Sequence, residues 1–325
     1  MRTFLSVLCS AMLLLFPLSG CRSGAAARTV EYYDLFDTYS YLTVYDISEE
    51  ELQTVNAELH AYLLRLHQLM DIYHSYAFTN LYAINAAAGT EPLPVDPVLL
   101  DFLSWCRDAY TLTDGRVNVL LGAVTSLWHD AREQAAADPA AAALPSSEAL
   151  QNASLHTDID SLVLDREAGT VCLTDADASL DVGALAKGYA GRLAVQFLQA
   201  RGIENFLLSL GGNICAFGSP VGTGRDFYQI GIEDPSGSGA VAQSCRVQNQ
   251  CVVTSGDYQR YFEVDGTRYH HIIDPDTLYP SRYQHSVTII HSDSAMADLL
   301  STALFLMPED EGRALAARYD AQVIY

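Results

Sequence analysis

The stretch DVGALAKGYA, residues 181–190, holds one Asp, two Gly and the only Lys of a 325-residue chain. A predicted strand precedes it and a predicted helix follows Gly183, so the stretch indicates a strand–turn–helix unit. The unpaired N–H groups and positive dipole end of a helix start can receive an anion. We therefore expect a phosphate site in which Lys187 adds positive charge and Asp181 accepts a hydrogen bond from the ligand. The alternative is a common glycine turn followed by a solvent-exposed lysine.

The chain is acidic and rich in apolar residues. Its formal net charge is −22, and 50% of its residues are hydrophobic. That apolar content suffices for a folded core and excludes a disordered chain. The negative charge argues against nucleic acid as a partner, because phosphates need a basic surface, and against electrostatic binding to anionic lipid.

The N-terminus has the pattern of an export signal. Arg2 precedes an apolar run over residues 4–18, which is short for a membrane span and typical of a signal peptide. The run ends in LSGC, residues 18–21, which resembles the lipobox of bacterial lipoproteins, in which the cysteine is acylated. The alternative is a plain secretory leader with a chance cysteine.

These features predict the domain organisation and the location of the protein. We expect an extracytoplasmic lipoprotein that a lipid on Cys21, such as palmitate, anchors in the cell membrane. The predicted parts are a lipoprotein signal peptide over residues 1–20, a tether over 21–30 and one domain over 31–325.

Cysteine spacing gives no sign of a metal site. Of the seven cysteines, Cys9 lies in the leader and Cys21 would carry the lipid. The remaining five form no CxxC pair and have no Cys/His ligand spacing, so most are expected to be buried apolar residues. A bridge between Cys245 and Cys251 is an open alternative. The five are Cys106, Cys172, Cys215, Cys245 and Cys251.

Hydrophobic periodicity predicts helices and strands in mixed order. Because the order has no strict βαβ rhythm, we predict an α+β fold with mixed sheets packed against helices. Residues 131–149 are Ala-rich with two prolines, and we expect a short helix and loop outside the core. Helices are predicted over 49–70, 96–111, 185–202 and 295–307, and strands over 35–45, 161–164, 170–173, 205–210, 227–233, 247–254 and 285–291. A hairpin over 258–273 turns at Asp265-Gly266.

Five ordered motifs together resemble the ApbE family of FAD:protein FMN transferases, many of which are bacterial lipoproteins. The resemblance runs from about residue 35 to the C-terminus and implies an ApbE-like, T-fold-like architecture. The motifs are DVGALAKGYA at 181–190, LGGNI at 210–214, TSGDY at 254–258, HIIDP at 271–275 and ADLLSTAL at 297–304.

Asp298 and Thr302 are candidates for binding a metal ion. They lie four residues apart in a predicted apolar helix and therefore share a face. Carboxylate and hydroxyl oxygens suit Mg²⁺, whereas an Asp on the solvent side of the helix is the alternative. The resemblance implies Mg²⁺ as the metal, the main-chain oxygen of Ala184 as a third ligand and Ser301 nearby.

The resemblance also assigns the flavin nucleotide. It implies FAD as the substrate, with Asp181 and Lys187 at the nucleotide. Cleaving the FAD pyrophosphate requires neutralising negative charge, which Mg²⁺, Lys187 and a helix start would supply.

Two adjacent histidines on a predicted strand point to opposite faces, so only one can enter a site. A structural role is the alternative for either of them. The resemblance selects His271, not His270, as the base that deprotonates an acceptor threonine. It further implies that Asp257 orients or assists His271 and that Ile272 lines the flavin pocket.

Nearer the N-terminus the resemblance is looser. Phe36 and Tyr73 match positions beside the flavin or adenine, although aromatic core residues are the alternative. Three residues depart from the family pattern: Asn118 stands where an Asp is usual, Leu120 where a Thr is usual and Leu278 where a Gly is usual. The nucleotide-binding stretch comprises Arg116, Val117 and Asn118.

The leading hypothesis is Mg²⁺-dependent transfer of FMN from FAD to a Thr or Ser hydroxyl, with release of AMP. The expected partner is an extracytoplasmic flavoprotein, either a redox-pump subunit or a secreted FMN-binding protein. The alternatives are a Mg²⁺-dependent FAD pyrophosphatase, which gives FMN and AMP, and a flavin-binding lipoprotein without chemistry.

Overall fold

A computed structural model describes residues 27–236 and 238–325. The predicted signal peptide and Cys21 lie outside the described residues. The first strand begins at Arg28, inside the predicted tether, so the fold starts before the expected boundary at residue 31. The reason is a set of side-chain contacts, since Arg28 donates to the Ile47 carbonyl and pairs with Glu49.

The strands form one large sheet and three small ones. The large sheet is antiparallel throughout, with the strand order β1-β2-β6-β7-β10-β13-β14. In chain order the strands are β1 (Arg28–Leu35), β2 (Thr38–Val44), β3 (Leu93–Pro94), β4 (Leu162–Asp165), β5 (Thr170–Leu173), β6 (Phe206–Leu210), β7 (Asn213–Phe217), β8 (Tyr228–Glu233), β9 (Val241–Val247), β10 (Gln250–Gly256), β11 (Tyr261–Val264), β12 (Thr267–His270), β13 (Ser286–His291) and β14 (Gln322–Ile324).

Helices pack against the large sheet. The helices are α1 (Glu49–Met70), α2 (Leu81–Ala86), α3 (Pro97–Leu112), α4 (Gly122–Ala137), α5 (Ser147–Ser154), α6 (Ala186–Ala200), α7 (Ser294–Phe305) and α8 (Glu309–Arg318). Helix α7 packs on β10 and β13 and against α6, while α1 packs on β1 and α6. The hairpin β8–β9 covers the opposite face of the sheet, where Tyr228 and Ile230 are buried. The α+β prediction is confirmed.

Helix α1 illustrates why the spacing of apolar residues predicted a helix correctly. Ser48 accepts a hydrogen bond from the Glu51 N–H at 3.2 Å and caps the helix, and three glutamates favour the positive end of its dipole. Its predicted apolar positions, Leu52 among them, are buried in the main core. Within residues 27–236 and 238–325, no helix combines the length and apolar composition that a membrane span requires.

Two predictions of local structure were wrong. Residues 131 and 135, expected outside the core, are buried alanines of α4, which packs with the β11–β12 hairpin. The strand predicted over 247–254 is two strands, because Asn249 adopts a φ of 54° and turns the chain between β9 and β10. The predicted Asp265-Gly266 turn is present, with positive φ at both residues.

Candidate active site

A cavity of about 350 Å³ opens beside the start of α6, α7 and the β11–β12 hairpin. It gathers most of the residues that the sequence singled out, although they come from distant parts of the chain. Asp257 and Ser301 lie outside its wall. The predicted residues that line it are Phe36, Tyr73, Arg116, Val117, Asn118, Asp181, Ala184, Lys187, His271, Ile272, Asp298 and Thr302.

The turn before α6 is held by Asp181. One carboxylate oxygen accepts the Gly183 N–H at 2.9 Å, and the other accepts the Thr125 hydroxyl at 2.7 Å. The predicted ligand contact of Asp181 therefore competes with bonds inside the protein. Through these two bonds Asp181 shapes the turn. The role of Thr125 was not predicted, because Thr125 lies outside every motif found in the sequence.

Asp298 joins α7 to the first turn of α6. Its Oδ2 accepts the Gly188 N–H at 2.6 Å, so the carboxylate occupies the positive end of the helix dipole. The approach is so close that a Cβ on Gly188 would lie 2.2 Å from the Asp298 Cβ. Asp298 is 5% exposed. Burial raises the pKa of its carboxyl, and the charge of Lys187 opposes that rise.

The side chains of Ser301 and Thr302, which are neighbours on α7, point in different directions. Thr302 lines the cavity, and its Oγ1 lies 3.4 Å from the Ser255 hydroxyl. Ser301 donates to the Asp298 carbonyl at 2.9 Å and contacts Ser255 at 2.9 Å. The Ser301 hydroxyl thus bonds within the helix and lies outside the cavity wall, and its approach to a metal stays a prediction.

The residues present fit a hard cation. The Asp298 carboxylate, the Thr302 hydroxyl and Ala184 line one cavity and offer oxygen donors, which Mg²⁺ prefers. The side-chain amide of the buried Asn213 faces the Asp298 carboxyl and favours its charged form. A buried carboxylate with a raised pKa gains from a neighbouring positive ion.

The two adjacent histidines have different surroundings. His270 is buried; its Nε2 donates to the Ser281 carbonyl at 2.8 Å, and its Nδ1 accepts the Ile272 N–H at 3.2 Å. His271 is exposed to the cavity. The cavity walls displace water from its ring and, with the charge of Arg260, lower the pKa of His271. His271 is thus neutral near pH 7 and able to accept a proton.

Asp257 does not contact His271. Its carboxylate lies 2.7 Å from the Nδ1 of His285, and the expected pairing with His271 is therefore absent among the described residues. The reason is local geometry, since the N–H of Asp257 bonds the His285 carbonyl beside the end of β10. The Nδ1 of His271 instead lies 3.3 Å from the Arg260 carbonyl.

The side-chain amide of Asn118 holds the backbone around this residue in place. Its Nδ2 donates to the Thr157 carbonyl at 2.8 Å, and its Oδ1 accepts the Leu120 N–H at 2.9 Å. An aspartate could not donate to Thr157, so the unusual Asn is explained by this bond. Arg116 pairs with Asp276 across the cavity edge.

Leu278 adopts a left-handed backbone with a φ of 63°, a conformation that favours glycine. Its carbonyl accepts the Trp128 indole N–H at 2.9 Å. The departure from the usual Gly therefore places a strained leucine beside the buried Trp128.

The N-terminal side of the cavity is built by two turns. Phe36 and Asp37 both have positive φ in the turn between β1 and β2, and the Phe36 N–H donates to His67 at 3.1 Å. Tyr73 packs on His129 with the ring centroids 5.4 Å apart. The cations Arg132 and Arg260 also line the cavity, although neither falls in a motif.

Comparisons with known proteins identify the family of the chain. The ApbE family matches residues 36–325, and the chain belongs to that family. It is 36% identical over 283 residues to an FAD:protein FMN transferase of Treponema pallidum (strain Nichols), covering 81% of this chain and 76% of the relative. It is 30% identical over 320 residues to one of Vibrio cholerae, covering 97% and 91%.

Solved structures share the fold. The ApbE protein of Thermotoga maritima superposes with a TM-score of 0.78 at 28% identity, covering 92% of this chain and 93% of that one. The flavin transferase ApbE from Vibrio cholerae gives 0.76 at 26% identity, covering 92% and 93%.

Proposed function

We propose that this protein is a Mg²⁺-dependent transferase that moves FMN from FAD to a Thr or Ser hydroxyl of an extracytoplasmic flavoprotein. The observation that carries the proposal is that Asp298, Thr302, Lys187 and His271 line one cavity. The cavity thus combines oxygen ligands, a cation for phosphate and a neutral base. The FAD:protein FMN transferases among the relatives support the same reaction.

The reaction exchanges the phosphoanhydride bond of the FAD pyrophosphate for a phosphoester bond to the acceptor. The acceptor hydroxyl oxygen bonds to the phosphorus of the FMN half, and the bond from that phosphorus to the bridging oxygen breaks. AMP leaves with the bridging oxygen. His271 accepts the hydroxyl proton, and Lys187 stabilises the negative charge that develops on the phosphates.

Asp298, Thr302 and the Ala184 carbonyl would hold Mg²⁺. When bound, the ion supplies charge neutralisation at the pyrophosphate. The chain itself orients these ligands through the Gly188–Asp298 hydrogen bond and the packing of α7 on α6.

The direct test measures covalent FMN on an acceptor. The soluble domain is incubated with FAD, Mg²⁺ and candidate acceptor domains, and mass spectrometry reads the acceptor mass. A bound FMN with stoichiometric AMP supports the proposal. Free FMN and AMP with every acceptor unmodified would instead identify a pyrophosphatase, and unchanged FAD would identify a flavin-binding protein.

The lowered pKa of His271 predicts the acidic limit of activity. A base must be unprotonated, so lowering its pKa extends activity to lower pH. With Mg²⁺ saturating at each pH, we expect kcat/KM to stay level down to about pH 6.5, the usual histidine value, and to fall with a midpoint below it. A midpoint above the usual histidine value in steady-state kinetics would contradict the assignment.

The single lysine offers a test of nucleotide binding. An amine-acylating reagent modifies Lys187 and no other side-chain amine, since the chain has one lysine. We expect FAD with Mg²⁺ at ten times its Kd to slow this modification about tenfold, as measured on the peptide that carries Lys187. Lys187→Gln is the control for reagent specificity. Unchanged labelling under saturating FAD would place the nucleotide elsewhere.

We further propose that Cys21 is acylated and holds the protein at the outer side of the cell membrane. The sequence LSGC at 18–21 supports this. In a host that processes lipoproteins, Cys21→Ser should move the protein from the membrane fraction to the soluble fraction. If the variant stays membrane-bound to the same extent, the lipid anchor is refuted.

A further inference from the structure

Strands β7 and β10 bring two cysteines face to face in the middle of the large sheet. The strands are antiparallel, and Cys251 is the direct partner of Cys215 in their register. The two sulfur atoms lie 3.4 Å apart. Cys215 is 1% exposed and Cys251 is 0% exposed.

The register alone meets the distance that a disulfide needs. Directly opposed residues of antiparallel strands have Cα atoms about 4.5–5.5 Å apart. Disulfides span Cα separations of about 4.4–6.8 Å. The close sulfur contact shows that both side chains also point to the same side. The two sulfur atoms need to approach by a further ~1.4 Å to reach the length of an S–S bond.

We propose that Cys215 and Cys251 form a disulfide when the chain folds in an oxidising compartment. In this step the two S–H bonds break, one S–S bond forms, and two protons and two electrons leave. The electrons pass to the disulfide of a thiol–disulfide oxidoreductase, which is reduced to a dithiol. The inference concerns the sheet and stands apart from the flavin chemistry.

The bond forms before the sheet closes. Once the chain has folded, α6 and α7 shield both buried thiols from a protein oxidant. The contact with Cys215, together with burial, raises the pKa of Cys251, so the attacking thiolate is scarce in the folded state.

The bridge between Cys245 and Cys251, open from the sequence, is disfavoured by the fold. Cys245 packs against the β8–β9 side of the sheet with Val252 and Ile290. Cys215 and Cys251 lie in the main core on the helix side. A bond to Cys245 would have to pass through the sheet.

The disulfide would brace the floor of the active-site cavity. Asn213 lies two residues before Cys215 on β7, and Thr254 and Ser255 lie just beyond Cys251 on β10. All three line the cavity. A covalent link between the two strands therefore limits their relative movement next to the proposed metal ligands.

The experiment exports the domain through a strong leader into the periplasm of a host with a disulfide-forming system. Free thiols are blocked under denaturing conditions, and the non-reduced protein is digested with trypsin. Each of the five domain cysteines falls in its own tryptic peptide, with Cys215 in residues 202–225 and Cys251 in 247–260. A linked pair of these two peptides is expected. A co-exported disulfide reporter shows that the compartment was oxidising.

The inference would be overturned if the Cys215 and Cys251 peptides were both alkylated and unlinked while the reporter was fully oxidised. A disulfide from either peptide to Cys245 would overturn it as well. A second experiment measures the Tm of the native protein and of two variants with and without reductant. Reductant should lower the Tm of the native protein by roughly 5 °C and that of the Cys245→Ser control equally. The Cys215→Ala/Cys251→Ala protein should show no such difference, and an equal shift in all three would also overturn it.

Discussion

Asp298→Asn is expected to lower the rate of FMN transfer about 10²–10³-fold, because it removes the only carboxylate among the proposed metal ligands. The amide oxygen can still accept the Gly188 N–H, so the start of α6 keeps its bond. Burial raises the pKa of Asp298 and so disfavours its charged form. Without metal, the variant should therefore melt at an equal or higher temperature. Transfer assays over a Mg²⁺ series and thermal melts check both parts.

Asp310→Asn is the matched control, since Asp310 is exposed in the first turn of α8 and its loss changes net charge equally. It should leave transfer within experimental error. Full activity of Asp298→Asn, or an unchanged Mg²⁺ dependence, would remove Asp298 from the metal site and with it the central step of the proposed chemistry.

His271→Ala is expected to reduce kcat for transfer about 10²–10⁴-fold, because the acceptor hydroxyl loses its base. FAD affinity and Tm should change little, since the ring is exposed to the cavity and its contact with the Arg260 carbonyl is 3.3 Å long. Titration of FAD fluorescence, thermal melts and single-turnover transfer separate these effects.

The neighbouring histidine provides the contrast. His270→Ala removes two buried hydrogen bonds and should lower the free energy of unfolding by about 2–4 kcal/mol. If His271→Ala destabilises the fold to a similar degree while transferring FMN at the native rate, the two roles are reversed.

The sequence predicted which residues line the cavity better than it predicted their hydrogen-bond partners. The chemistry of the local stretches pointed to Asp181, Lys187 and Asp298, and the resemblance to the ApbE family selected His271. The partners of those residues depend on tertiary packing. Thr125 on α4 reaches Asp181 across 56 residues of chain, and no local spacing could indicate that contact.

The pairing of Asp257 with His271, which the family resemblance implied, differs from the contact that Asp257 makes with His285. Asp257 lies 14 positions from His271 and 28 from His285, yet the hairpin turns His271 toward the cavity and leaves His285 beside the carboxylate. Strand pairing, which no local pattern specifies, decided between the two histidines.

Strand β1 was missed for a related reason. It is an edge strand whose residues alternate between buried Tyr32 and exposed Glu31 and Tyr33, and an Arg/Ser/Gly/Ala stretch precedes it. Its pairing with β2 and the Arg28 contacts stabilise it, and both are non-local effects.

The Gly188–Asp298 hydrogen bond spans 110 residues and ends close to the C-terminus. A ribosome must therefore synthesise the chain beyond Asp298 before this carboxylate can meet the turn at the start of α6. A nascent chain that lacks Asp298 and Thr302 has no complete pocket in which to capture flavin. Loading with FAD is thereby deferred until both halves of this contact have been made.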